Sequence, residues 1–149
     1  MTAESSPIVP YWHLWTDRDG ISHQTRCTMT AFDKASIQPG AAAQWIGAKT
    51  REGTTVFATV LPAGWVGEWH ENPKPQWIIP LSGRWFVEAM DGQRVEMGPG
   101  ELSFGEDQKT CAVDGKRGHR SGTLGDEPVI LMIVQFDAPP AVASACRFR

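Results

Sequence analysis

The chain has 149 residues, of which 41% are hydrophobic and 21% charged, with a formal net charge of −3. That composition suits one ordinary globular domain, and a domain of this size withdraws roughly 70% of its unfolded surface from water. The acidic balance leaves no basic excess to neutralise phosphates, which argues against nucleic acid as a partner, and the longest clean apolar run, Val129 to Val134, is too short to cross a bilayer as a helix.

Residues 1–10 are small, polar and Pro-punctuated, and read as an arm. No charged, apolar leader opens the sequence, so a cytoplasmic location is expected. The three cysteines, Cys27, Cys111 and Cys146, are odd in number and widely spaced; they are expected to be reduced thiols rather than a disulfide framework. Thr30 to Ile37 is the one helical candidate. Fifteen glycines and eleven prolines, spread throughout, leave little room for a longer helix.

From there the chain reads as short strands. Thr54 to Leu61 is β-branched and aromatic-rich and stops at Pro62. Trp77 to Leu81 closes at Ser82-Gly83. Arg84 to Met90 and Arg94 to Met97 flank Asp91-Gly92, a strong hairpin signal. Glu101 to Phe104 follows, and Val129 to Phe136 is apolar on both parities, as expected of a strand covered on both faces. Closely and evenly spaced short strands predict an all-β sandwich or barrel. Residues 138–149, with Pro139-Pro140, read as a tail leaving a single domain whose core spans about residues 50–136.

The chemistry concentrates in Gly64 to Gly83. His70 and Asn72 are two apart, so on a strand they share a side, together with Glu68. Trp69 and Glu71 point the other way. Gln76 opens the next strand after the turn Asn72 to Pro75, and a hairpin there brings it back beside His70 and Asn72. A buried carboxamide at Gln76 needs partners. Asn72 before Pro73 is equally natural as a turn former. Trp69, Trp77 and Trp85 are most simply core, while Trp69 and Trp85 are also candidates to wall a ligand pocket. Cys111 has no activating neighbour and reads as inert.

The spacing of Gly64, His70, Asn72, Gln76 and Gly83 resembles the first motif of the cupin family, with Asn72 and Gln76 at positions where the family has His and Glu. The second motif is degenerate: Gly92 and Pro99-Gly100 fit, and the nearest histidine is His119, late in a Gly-rich, basic segment. The strings GPGELSFGED and GHRSG are similar to a subgroup of small, single-domain bacterial cupins. The resemblance spans about residues 50–136. It implies a jelly-roll β-barrel (a double-stranded β-helix), a homodimer, and a central pocket for a small organic molecule.

It also implies a divalent metal ion (Zn, Fe, Mn or Ni) held by His70, Gln76 and His119. With Asn72 and Gln76 in place of His and Glu, the donor set is neutral, and such an ion is expected to be weakly held unless Glu68 or a ligand carboxylate adds charge. The implied roles are His70 as catalytic residue and metal ligand, and Asn72, Gln76, Trp69 and Trp85 as substrate-binding residues. Two functions follow as expectations: a metal-dependent oxygenase, isomerase or lyase, or a metal-free small-molecule binder without catalysis. Association is expected through Tyr11 to Thr28.

Overall fold

The computed structural model describes residues 5–36, 38–49 and 53–148. Its strands are Val9–Thr16 (β1), Ser22–Met29 (β2), Phe32–Ser36 (β3), Ala43–Gly47 (β4), Thr54–Leu61 (β5), Gln76–Ser82 (β6), Arg84–Ala89 (β7), Arg94–Met97 (β8), Ser103–Glu106 (β9), His119–Leu124 (β10) and Val129–Phe136 (β11). There is no α-helix among the described residues. The strands form a six-stranded sheet, β2-β1-β9-β6-β11-β5, a three-stranded sheet, β10-β7-β8, and the hairpin β3-β4. Thr30 to Ile37, read as a helix, is largely strand β3; its side chains from Asp33 to Ser36 are all exposed, so tertiary packing gives no helical face to bury. Ile37 itself lies outside the described residues.

Alternation assigns the faces. In β6, Gln76, Ile78 and Pro80 are buried, and in β11 Val129, Leu131 and Ile133 share that parity. Of these, Ile78, Val129, Leu131 and Ile133 meet Trp85, Val87 and Met97 from the three-stranded sheet in one core cluster. Pro80 cannot donate to the ladder of this central strand. The register shifts beside it, with Leu131 opposite Pro80 and Ile130 opposite Ser82, so Leu81 is squeezed out and stays 52% exposed. Asp91-Gly92 makes the expected turn between β7 and β8, where the Gln93 N–H donates to Asp91 Oδ1 at 2.9 Å.

The opposite face of the six-stranded sheet carries a second apolar cluster, Tyr11, Cys27, Phe104 and Phe136, with Trp77 and Phe148 packed against it. Burying Phe104 completely contributes about 1.5–3 kcal/mol. Two expectations are corrected here. The stretch from Ala138 does not leave the domain but folds back over this face. Cys27 and Cys146 are not free thiols but a disulfide, and Cys111 alone is free and exposed. Spacing along the chain carries no information about a pair 119 residues apart.

Candidate functional site

The segment after Gly64 docks onto β10. The His70 N–H donates to the His119 carbonyl, and the His119 N–H to the His70 carbonyl, both at 2.9 Å. Directly opposed residues of an antiparallel pair present their side chains on one face. The two imidazoles accordingly lie 4.6 Å apart, centroid to centroid, and tilted by 50°. This approach requires glycine at position 118: its φ is +60°, and a Cβ there would run into the His70 backbone.

The two rings differ in setting. His119 is 4% exposed, and its Nδ1 lies 2.7 Å from Asp107 Oδ2. Asp107 is 0% exposed. Its Oδ1 accepts the backbone N–H of Asn72 at 3.0 Å and the Asn72 Nδ2–H at 2.7 Å. His70 is exposed, and its Nδ1 lies 2.8 Å from the Glu68 carbonyl oxygen. Both partners accept only, so each imidazole carries its proton on Nδ1 and leaves Nε2 as the free acceptor when neutral. Burial alone would raise the Asp107 carboxyl. The charge and hydrogen bond of His119 and the two hydrogen bonds from Asn72 outweigh it and hold the group below the ordinary carboxylate range.

Asn72 also anchors a chain of carboxamides. Gln76 Nε2 donates to Asn72 Oδ1 at 2.6 Å, and Gln135 Nε2 donates to Gln76 Oε1 at 2.9 Å. Gln108 Nε2 donates to the Asn72 carbonyl at 2.9 Å. Gly105 leaves room for this, since a Cβ there would overlap the Asn72 carboxamide. Backbone and side chain of Asn72 thus serve the same carboxylate.

The other candidates are more scattered. Trp85 is 3% exposed within the core cluster, and its indole Nε1–H has no protein partner. Trp69 lies outside that cluster, with Lys116 and Arg120 each 5.6 Å from its ring centroid. Glu68 has an exposed side chain and serves the site through its carbonyl. Sequence reasoning missed Asp107. Nothing local marks it: Glu106-Asp107, at the end of β9, reads as two solvated carboxylates until the burial of both is known.

As a metal centre the arrangement is short of donors. His70 and His119 offer two imidazole nitrogens, while the amide oxygens of Asn72 and Gln76 each already accept a hydrogen bond and Asp107 uses both oxygens. Among the described residues no group of three His, Cys, Asp or Glu side chains is placed to hold an ion. The residues present do not fit a resident metal.

The fold and this site define an all-β protein of several sheets with an imidazole pair backed by a buried carboxylate. No family model matches the chain, and no curated protein matches it. Among solved structures it is similar to protein NMB1881 from Neisseria meningitidis, at 17% identity and a TM-score of 0.42, over 70% of this chain and 89% of that one.

Proposed function

We propose that this chain is a small jelly-roll protein of the cupin type that takes a small organic molecule beside the His70–His119 pair and moves a proton on it. The observation that supports this best is the pair itself: two adjacent imidazoles, each with Nδ1–H tied to an acceptor, one exposed and one backed by buried Asp107. In this reading His119 is the base. Asp107 fixes its tautomer and stabilises the imidazolium formed when Nε2 takes a proton. His70, open to solvent, exchanges protons with water and serves as the partner acid. Asn72, Gln76 and Gln135 add uncharged amides, and the carboxylate beside them, Asp107, has both oxygens engaged by Asn72 and His119, an environment suited to a carbonyl-bearing substrate. The chemistry is that of an isomerase or lyase working next to a carbonyl group. A homodimer belongs to the same reading, with β2, most of which lies in the Tyr11 to Thr28 stretch, as an edge strand of the large sheet.

A second reading, reversible binding without catalysis, draws on the carboxamide chain and on the unpartnered Trp85 N–H, both suited to holding a ligand by hydrogen bonds. Proton NMR in D2O separates the two. A panel of small oxo acids and hydroxy ketones is incubated with the parent, His70→Ala and His119→Ala. Deuterium entering a substrate C–H bond with the parent, and lost in His119→Ala, supports proton transfer. Binding without exchange supports the second reading. Neither binding nor exchange rejects the site.

A further inference from the structure

We propose that residues 138–148 form a redox-released strap: the Cys27–Cys146 disulfide fastens them over the outer face of the large sheet, and a dithiol reductant lets them go. Beyond Phe136 the described residues form no strand, so the strap is held by discrete contacts rather than by a sheet ladder. One is a backbone bond, from the Ala143 N–H to the Thr16 carbonyl at 2.6 Å; apart from that and the disulfide, the hydrogen bonds gather on three side chains. Glu106, 0% exposed, accepts Arg147 Nε–H at 2.9 Å, Arg147 Nη2–H at 2.8 Å and the Ala141 N–H at 3.1 Å. His13, also 0% exposed, accepts the Cys146 N–H on Nδ1 at 2.9 Å, which places its own proton on Nε2, donated to Glu106 at 3.0 Å. Tyr11 exchanges hydrogen bonds with Phe148, accepting its N–H at 3.1 Å and donating to its carbonyl at 2.9 Å.

What opposes the strap is equally visible. Ala143 and Cys146 both sit at φ +58°, the left-handed region that L side chains rarely adopt. Ordering eleven irregular residues also costs conformational entropy at every position. A few hydrogen bonds and the packing of Phe148 against Phe104 and Trp77 must offset both. The covalent tie makes these contacts effectively intramolecular, so removing it tips the balance toward release. The sheet beneath does not depend on it, because β2 is held by β1 along its whole length.

The chemistry balances simply. Cys27 is 3% exposed and Cys146 half-buried, so the reductant thiolate attacks the Cys146 sulfur, and Cys27 leaves and is protonated. The second reductant thiol resolves the mixed disulfide. Two electrons and two protons end on Cys27 and Cys146, and the dithiol becomes a disulfide. The strap would thus report the redox state of its surroundings. Release bares the aromatic face of Tyr11, Trp77 and Phe104.

The test is amide hydrogen exchange on the full chain, with and without dithiothreitol, for the parent and Cys27→Ser. Thiol titration serves as the control. The oxidised parent should titrate one thiol, Cys111, and the reduced parent all three cysteines. On reduction the amides of Ala141, Ala143, Cys146 and Phe148 should exchange about tenfold faster or more, while Ile78 and Ile133 keep their protection. Cys27→Ser should show the fast tail without reductant and no further response to it. Three free thiols under oxidising conditions would overturn the proposal. So would a tail equally protected with and without the bond, or loss of protection spreading to Ile78 and Ile133, which would make the disulfide a staple of the whole fold.

Discussion

Asp107 holds His119 by its Nδ1, at 2.7 Å, and through that single contact decides which nitrogen of the ring is left free. Replacing Asp107 by Asn keeps an oxygen for Asn72 but turns an N–H2 toward His119. Two donors then face each other unless the imidazole moves its proton to Nε2. Asp107→Asn is expected to cost about 1.5–3 kcal/mol of stability, the range for hydrogen bonds to a charged group, and to silence proton transfer while leaving the sheet intact. Urea denaturation and far-UV circular dichroism check both parts. A variant as stable as the parent would show that Asp107 anchors nothing.

The pH dependence has two arms. Asp107 is held below the ordinary carboxylate range, so its contribution is present above about pH 3.9, the unfolded value, and is lost as pH falls through the lower folded value. His23 behaves in the opposite sense. Burial pushes it down, but hydrogen bonds to Asp17 at 2.6 Å and Asp91 at 2.9 Å, with their charges, raise it overall. Its contribution is complete below about pH 6.5 and is lost as pH rises through the raised folded value. Denaturation midpoints of the parent and His23→Gln should therefore differ most in mildly acidic buffer and converge at alkaline pH. A gap independent of pH would contradict the clamp between the β1–β2 turn and the β7–β8 turn.

Trp85→Phe removes a buried N–H that has no partner in the protein. Losing an unsatisfied donor offsets part of the loss of indole packing, so stability without ligand should change by about 1 kcal/mol or less. If that N–H serves a ligand, affinity measured by calorimetry should weaken by about tenfold. A variant that binds as tightly as the parent would remove Trp85 from the site.

Two imidazole nitrogens make a poor resident metal site, so dialysed protein is expected to carry at most one weakly held divalent ion per chain, stripped by EDTA without loss of fold. Elemental analysis before and after chelation checks this. Tight, stoichiometric metal would mean that a further donor, with Glu68 the first candidate, turns inward when the ion binds.

Local chemistry explains what was legible beforehand. The β-branched run Thr54 to Leu61, the apolar Val129 to Phe136 and the Asp91-Gly92 turn carry their structure in a few neighbouring residues and form the strands and turn expected, although Val129 to Phe136 is fully covered on one face only, with Ile130 38% exposed on the other. Of His70, Asn72 and Gln76, which local spacing groups together, Asn72 and Gln76 are hydrogen-bonded to each other, while His70 meets His119. Their link to His119 came only from a family resemblance, because pairing across 48 intervening positions leaves no local trace. Asp107 was invisible for a related reason: a carboxylate reads as solvated until its partners are known, and those come from Asn72 and His119. The C-terminal strap was misread because its Pro-rich start has no periodicity, while what holds it is a disulfide and a buried Glu106 on remote strands. Trp85, given both a core and a pocket role, is in the core with its polar atom unspent.

Nitrogen-15 NMR of the histidine side chains tests the imidazole pair most directly. At a pH where the rings are neutral, both His70 and His119 should carry the proton on Nδ1 and show an unprotonated Nε2, and in Asp107→Asn only His119 should switch to the Nε2–H tautomer. A parent in which His119 is already protonated on Nε2 alone, or whose resonances ignore the Asp107 substitution, would contradict the account.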